Sequence, residues 1–199
     1  MPDAPLLEQL ARARALGFLG PGPIEDHVAH AAGFLHALAP VAGRVIDLGS
    51  GGGVPGLVVA VARPDLEVVL VDATAKRCRF LESAVAALGL TTAVVEGRAE
   101  VVGRGPLRAS ATAVVARSFG SPAVTAECAA PLLALGGLLV VSEPPAGAER
   151  WPQGPLAQLG LTPLRRSVGG PVMQTLQQTA VCPDRFPRRD GMPAKQPLF

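Results

Sequence analysis

Twelve residues constrain this chain more than any others: Val45-Ile-Asp-Leu-Gly-Ser-Gly-Gly-Gly-Val-Pro-Gly56. An apolar strand runs into Asp47, four glycines fall within five positions, and Pro55 stands where a helix can open. Glycine reaches positive φ without penalty and lets the backbone approach a ligand closely. Proline suits the first helical turn, where no amide hydrogen is needed. The spacing Asp47-x-Gly49-x-Gly51-x-Gly53 is the form of loops that bind S-adenosylmethionine. In that form Asp47 takes the ligand's ammonium group, while the free N–H groups of the next helix face its carboxylate. Gly51-x-Gly53-x-x-Gly56 also meets the dinucleotide fingerprint. The acid two residues before the first glycine favours S-adenosylmethionine, whose amino-acid end carries a cation as well as a carboxylate.

From Arg44 onward strand and helix patterns alternate, the signature of a parallel sheet with crossover helices. Strands are expected at Val45–Leu48, Glu67–Val71, Thr92–Glu96, Thr112–Ala116 and Gly136–Ser142. Helices are expected from the glycine loop to Ala62, over Thr74–Leu88 with Gly89 closing it, and over about Pro122–Leu133. A further helix within Ala146–Gly160 precedes two strands near Leu161–Ser167 and Val172–Val181, an antiparallel ending to the sheet. The fold class that follows is α/β, Rossmann-like: a central, mostly parallel seven-stranded sheet with helices on both faces.

In such a sheet ligands collect at the carboxyl ends of the strands. Asp72 lies 19 positions past Gly53 at the second strand's tip, where an acid chelates ribose hydroxyls; Ala73 adjoins it. A helix cap is the alternative reading of Asp72. After the third strand, Glu100 in Gly97-Arg-Ala-Glu100 is either an adenine contact or a helix-start glutamate, with Ala99 beside it. Arg117 follows the fourth strand, next to the first in this topology, and so stands beside the transferable methyl; pairing with a local acid is its alternative.

The flanking segments divide the chain into a helical extension (1–43), a ligand-binding domain (44–182) and a basic, proline-rich tail (183–199). A first helix is expected over 3–19, with Asp3 as N-cap and Leu6, Leu7, Leu10 and Leu16 on its apolar face. A second is expected from Ile24 to Leu38, with His27 and His30 one turn apart as solvated or partly buried side chains rather than metal ligands. Pro183, Pro187, Pro193 and Pro197 exclude regular structure from the tail, whose arginines lie along phosphates unless the tail is disordered or wraps a surface. Sixteen of the eighteen basic residues are arginine, and the net charge of +2 is too small to argue for nucleic acid by itself. Cys78, Cys128 and Cys182 suggest neither a disulfide framework nor a zinc site. With no bilayer-length apolar run and no basic n-region at the start, a cytoplasmic protein without a membrane partner is expected; the sequence leaves the oligomeric state open, with a monomer favoured.

The stretch Asp47–Gly56, continuing to Arg63-Pro-Asp-Leu66, resembles the bacterial small-subunit rRNA guanine-N7 methyltransferases, the glucose-inhibited-division protein B family. Val71-Asp-Ala-Thr-Ala-Lys-Arg-Cys-Arg-Phe-Leu81, Gly97–Glu100, Ala116-Arg-Ser-Phe119 and the tail at Phe186-Pro-Arg-Arg agree with it. The resemblance implies a class I methyltransferase fold, S-adenosylmethionine as donor, folded ribosomal RNA or the small subunit as partner, and N7 of one guanine as acceptor. It implies that Gly49, Ser50, Gly51 and Gly53 hold the methionine part, Asp72 the ribose, Ala99 and Glu100 the adenine end, and that Arg117 sits in the acceptor pocket as the catalytic residue.

Ser142-Glu143 stands where the family ends its fifth strand with Lys-Gly, placing an anion on the face expected to meet a polyanion. Two other functions fit the same loop. One is methyl transfer to a small metabolite, with Glu143 facing a neutral or cationic acceptor. The other is a non-catalytic S-adenosylmethionine- or RNA-binding protein. Steep salt dependence of substrate binding separates RNA from a small acceptor.

Overall fold

The seven strands are β1 (Arg44–Leu48), β2 (Glu67–Asp72), β3 (Ala93–Glu96), β4 (Ala111–Ala116), β5 (Leu133–Ser142), β6 (Leu161–Arg166) and β7 (Met173–Gln178). They form one sheet in the order β3-β2-β1-β4-β5-β7-β6. In this computed structural model, which describes residues 4–145, 150–167 and 170–199, the pairs among β1 to β5 are all parallel. β7 runs antiparallel to both β5 and β6. The order reverses at β1, so the crevice between the ends of β1 and β4 is the topological switch point, where open α/β sheets bind ligands.

Helices α1 (Ala4–Ala15), α2 (Ile24–Ala37), α3 (Gly56–Ala62) and α4 (Ala75–Ala87) supply one side of the core, with Leu10, Phe34, Leu57 and Leu81 buried against Val45, Leu70 and Val115. Side chains alternate across a strand, so Ile46, Leu48, Val69 and Val114 face the opposite layer. There α5 (Ala99–Val102), α6 (Pro122–Ala129), α7 (Gln153–Ala157) and the final turn α8 (Met192–Lys195) lie. Leu132, Leu156, Trp151 and Phe186 close that second core. Strands buried on both faces read as continuous apolar runs, which is why Glu67-Val-Val-Leu-Val-Asp72 shows no alternation.

Several boundaries differ from expectation. Helix α1 ends at Ala15, four residues early, and Leu16 is exposed where an apolar contact was expected. Gly17 at φ +71 ends the helix, and Phe18 N–H bonds back to Ala13 O at 2.9 Å. Asp3 lies outside the described residues. Helix α6 stops at Ala129 because Pro131 supplies no amide; a 3₁₀ turn over Ala130–Leu132 leads directly into β5, which starts three residues before its expected first residue. The helix expected within 146–160 is confined to Gln153–Ala157, and 146–149 lie outside the described residues. The tail contains regular structure after all. Pro193 sits in the first turn of α8, where its missing N–H costs nothing.

That tail is fastened to the domain. Glu127 on α6 is fully buried, and its carboxylate accepts from Arg188 N at 2.9 Å, Nε at 2.8 Å and Nη2 at 2.7 Å. Arg108 donates to Phe186 O and Cys182 O. Arg188 is therefore unavailable to phosphates, while Arg185, Arg189 and Lys195 remain exposed. Cys78, Cys128 and Cys182 are buried free thiols, all raised above the ordinary value by burial. Among the described residues, no helix is long and apolar enough to cross a membrane.

Candidate functional site

The glycine loop folds over the carboxyl ends of β1 and β2. Gly49 (φ +77), Gly51 (φ +54) and Gly53 (φ +90) all take the left-handed backbone that glycine alone adopts freely. Gly49 and Ser50 donate their amides to Val71 O at 2.8 and 2.9 Å, and Gly51 donates to Asp72 Oδ2 at 2.9 Å. The segment after α1 closes the other side: a Cβ on Gly52 would lie 2.8 Å from Phe18 O.

Asp47 lies beneath this loop rather than in its wall. It is a mid-strand residue in register with Leu70 and Val115, 1% exposed, and its Oδ2 accepts the Gly56 amide at 3.0 Å. This corrects two expectations. The first N–H of α3 is spent on Asp47, and the next, on Leu57, is spent on Gly53 O, so neither waits for a ligand carboxylate. Burial raises the Asp47 carboxyl from 3.8 to about 7, against the lowering effects of the Gly56 amide and Ser50. A cation above the loop would favour its ionised form, but from a layer below.

Asp72 ends β2 with both oxygens in use, Oδ2 on Gly51 N and Oδ1 on Thr74 N at 2.9 Å, with Arg77 Nη1 at 3.7 Å from Oδ2. The N-cap of α4 is Thr74, with no side-chain cap bond, so Asp72 braces the turn before the helix rather than capping it. Ala73 is exposed beside it. Ala99 is buried at the start of α5. Glu100 is 6% exposed, and its Oε1 accepts the tail amide of Gly191 at 3.0 Å, with Arg98 Nη2 at 3.4 Å. Its carboxylate ties the β3–α5 turn to the tail.

A cavity of about 260 Å³ opens over the loop, lined by Gly49–Gly52, Phe18–Gly20, Arg77, Arg117 and Ser118. Its lining fits an amino-acid zwitterion: Arg77 for a carboxylate, with buried Asp47 and Asp72 beneath for a cation. A second cavity, about 380 Å³, adjoins it, and Arg117 and Ser118 line both. Ser118, at φ +55, turns the chain sharply after β4. The second cavity also takes in His30, Phe119, Ser142, Glu143, Arg150 and Trp151. Arg117 Nη1, His30 Nε2 and Trp151 Nε1 are buried without a partner among the described residues. Buried polar atoms are seldom left unpaired in native proteins. A larger cavity of about 530 Å³, between α2 and β6–β7, holds none of the predicted site residues.

Two features in and behind these cavities were not legible beforehand. Glu143 is buried and paired with Arg150 at 3.0 Å, so the anion expected to oppose a polyanion is neutralised from within. His27, expected to be solvated or partly buried, is 6% exposed and has Nδ1 2.6 Å from Arg117 Nη2 and Nε2 3.1 Å from Gly20 O. Burial lowers Arg117 from its ordinary value, opposed by the Asp47 carboxylate; burial, then Arg117 and His27, lowers His30. No cluster of three metal-ligating side chains exists among the described residues.

The family model for rRNA small subunit methyltransferase G matches residues 23–143. A ribosomal RNA small subunit methyltransferase G of Rubrobacter xylanophilus is 35% identical over 97% of this chain and 80% of that protein. One from Deinococcus radiodurans is 34% identical over 78% of this chain and 66% of that protein. The antibiotic-resistance methyltransferase Kmr shares the fold at a TM-score of 0.55 and 17% identity, over 75% of this chain and 93% of that one. A putative methyltransferase of Escherichia coli gives 0.58 at 20% identity, over 76% and 86%.

Proposed function

Because this chain belongs to the rRNA small subunit methyltransferase G family and is an S-adenosylmethionine-dependent methyltransferase, we propose that it methylates N7 of one guanine in small-subunit rRNA. The observation that carries the reading is Arg117, which lines two adjoining cavities: one built on the glycine loop, the other with unpartnered buried nitrogens. Gly49, Ser50, Gly51 and Gly53 would hold the amino-acid end of the donor, with Asp47 and Asp72 fixing the loop from below. Asp72 and Ala73 would meet the ribose, and Ala99 and Glu100 the adenine end. When bound, S-adenosylmethionine supplies a methyl group activated by a sulfonium.

Guanine N7 carries an in-plane lone pair and no proton, so its attack calls for no general base. The protein's work is then positioning, an effect worth up to about 7–11 kcal/mol of barrier. Arg117 orients the acceptor base from the wall between the cavities. Glu143 offers no net repulsion to the RNA because Arg150 cancels it.

The test is transfer of labelled methyl from S-adenosylmethionine to small ribosomal subunits from a strain lacking this protein. Label at N7 of a single guanine is expected. Label in a small-molecule extract but not in rRNA would overturn the reading, and so would label on another atom of the base.

A further inference from the structure

The contact between His27 and Arg117 decides more than the shape of a wall. A guanidinium only donates hydrogen bonds. At 2.6 Å from Arg117 Nη2, His27 Nδ1 must therefore be the acceptor. The ring proton then sits on Nε2, which donates to Gly20 O at 3.1 Å. The chain of contacts Gly20 O, His27, Arg117 leaves one orientation for the imidazole and clamps one end of the guanidinium. The other end, Nη1, is buried with no partner among the described residues.

The chemistry of the clamp matters. Arginines in cores are usually held by carboxylates, which cancel their charge at the same time. A neutral imidazole fixes direction while leaving the positive charge whole. The acid whose field reaches Arg117 is Asp47, and its carboxylate bonds to the Gly56 amide rather than to the guanidinium. An arginine held this way is prepared for an electron-rich group that arrives later, such as the O6 of a guanine whose edge also carries N7. His27 itself lines neither of the two cavities, so it acts through Arg117 alone.

We propose that His27 is a positioning residue, a neutral tether that aims the unpaired end of Arg117 at the polar edge of the acceptor base. The proposal rests on the methyl-transfer reading above. The residue comes from the N-terminal helix α2, so the catalytic wall is built from two segments 90 residues apart.

Its test compares His27→Leu, His27→Asn, Arg117→Ala and the double variant His27→Leu/Arg117→Ala. The readouts are labelled-methyl transfer to unmodified small subunits and S-adenosylmethionine affinity by equilibrium dialysis. His27→Leu should lower kcat by about tenfold or more, the scale of one lost hydrogen bond to a charged group. Its S-adenosylmethionine Kd should stay within about twofold, because uniform binding is untouched. In the Arg117→Ala background it should add nothing, since coupled residues are non-additive. His27→Asn, whose carbonyl oxygen can replace Nδ1 as acceptor, should recover most of the turnover. Losses that multiply, or an asparagine as poor as leucine, would overturn the tether. A wild-type protein that transfers no methyl to rRNA would instead overturn the functional reading, and this proposal with it.

Discussion

Replacing Asp47 by Asn should make the ligand-free protein more stable at pH 8 and leave it nearly unchanged at pH 4. The Asp47 carboxyl is raised from 3.8 to about 7 by burial. Between those values the unfolded chain carries an ionised aspartate while the folded chain still holds the proton. The folded state binds more protons, so stability falls as pH rises through this window and levels off above about pH 7. About three pKa units at about 1.4 kcal/mol each amounts to roughly 4 kcal/mol given up by the wild type at pH 8. The Asp47→Asn variant would keep the one contact the structure shows, because an amide oxygen accepts the Gly56 N–H as a carboxylate does.

Urea denaturation of both proteins at pH 4, 6 and 8, without ligand, measures this directly. The stability difference should be near zero at pH 4, grow through pH 6 and level off above about pH 7. The same variant should bind S-adenosylmethionine more weakly, because a neutral amide no longer favours the ligand's positive charge above it. A difference that stays flat with pH, or a variant less stable than the wild type at pH 8, would refute the argument that the buried charge is costly.

Arg188→Ala should destabilise the fold by about 3 kcal/mol, since it strips two of the three donors from a fully buried carboxylate. Adding Glu127→Gln should restore most of that loss in chemical denaturation, and a double variant no better than the single would sink the account. Gly49→Ala meets both a left-handed backbone, costing about 1–2 kcal/mol, and a Cβ placed 2.6 Å from Phe119 Cδ2. Calorimetric titration should show S-adenosylmethionine affinity reduced at least tenfold, and an unchanged Kd would mean the loop does not hold the ligand.

How much of this was readable in advance depended on the range of the interaction. The loop at 45–56 was legible because its constraint is local: positive φ needs glycine wherever the chain folds. The parallel sheet was legible through the alternation of apolar runs with helices, and the expected neighbouring of the fourth strand and the first put Arg117 beside β1. The partnership of His27 was not, because an i, i+3 histidine pair looks the same whether it meets water or an arginine 90 residues away. Asp47 was read as a ligand contact because motif spacing locates a residue along the chain, not in depth; strand pairing on both sides puts it below the surface. The tail misled for a related reason. Four prolines describe local backbone options, and say nothing of a buried glutamate waiting on α6.

That glutamate has a consequence for the order in which the protein is made. Glu127 emerges from the ribosome 61 residues ahead of Arg188, its one side-chain partner among the described residues. Until the later segment is translated, burying α6 would strand a charge or force a proton onto the carboxylate, and either is costly. A chain cut short before Arg188 keeps the ligand loop but not the means to seal its second core. One late arginine therefore decides whether this flank can seal, so a chain ending before it should be less stable than the full one.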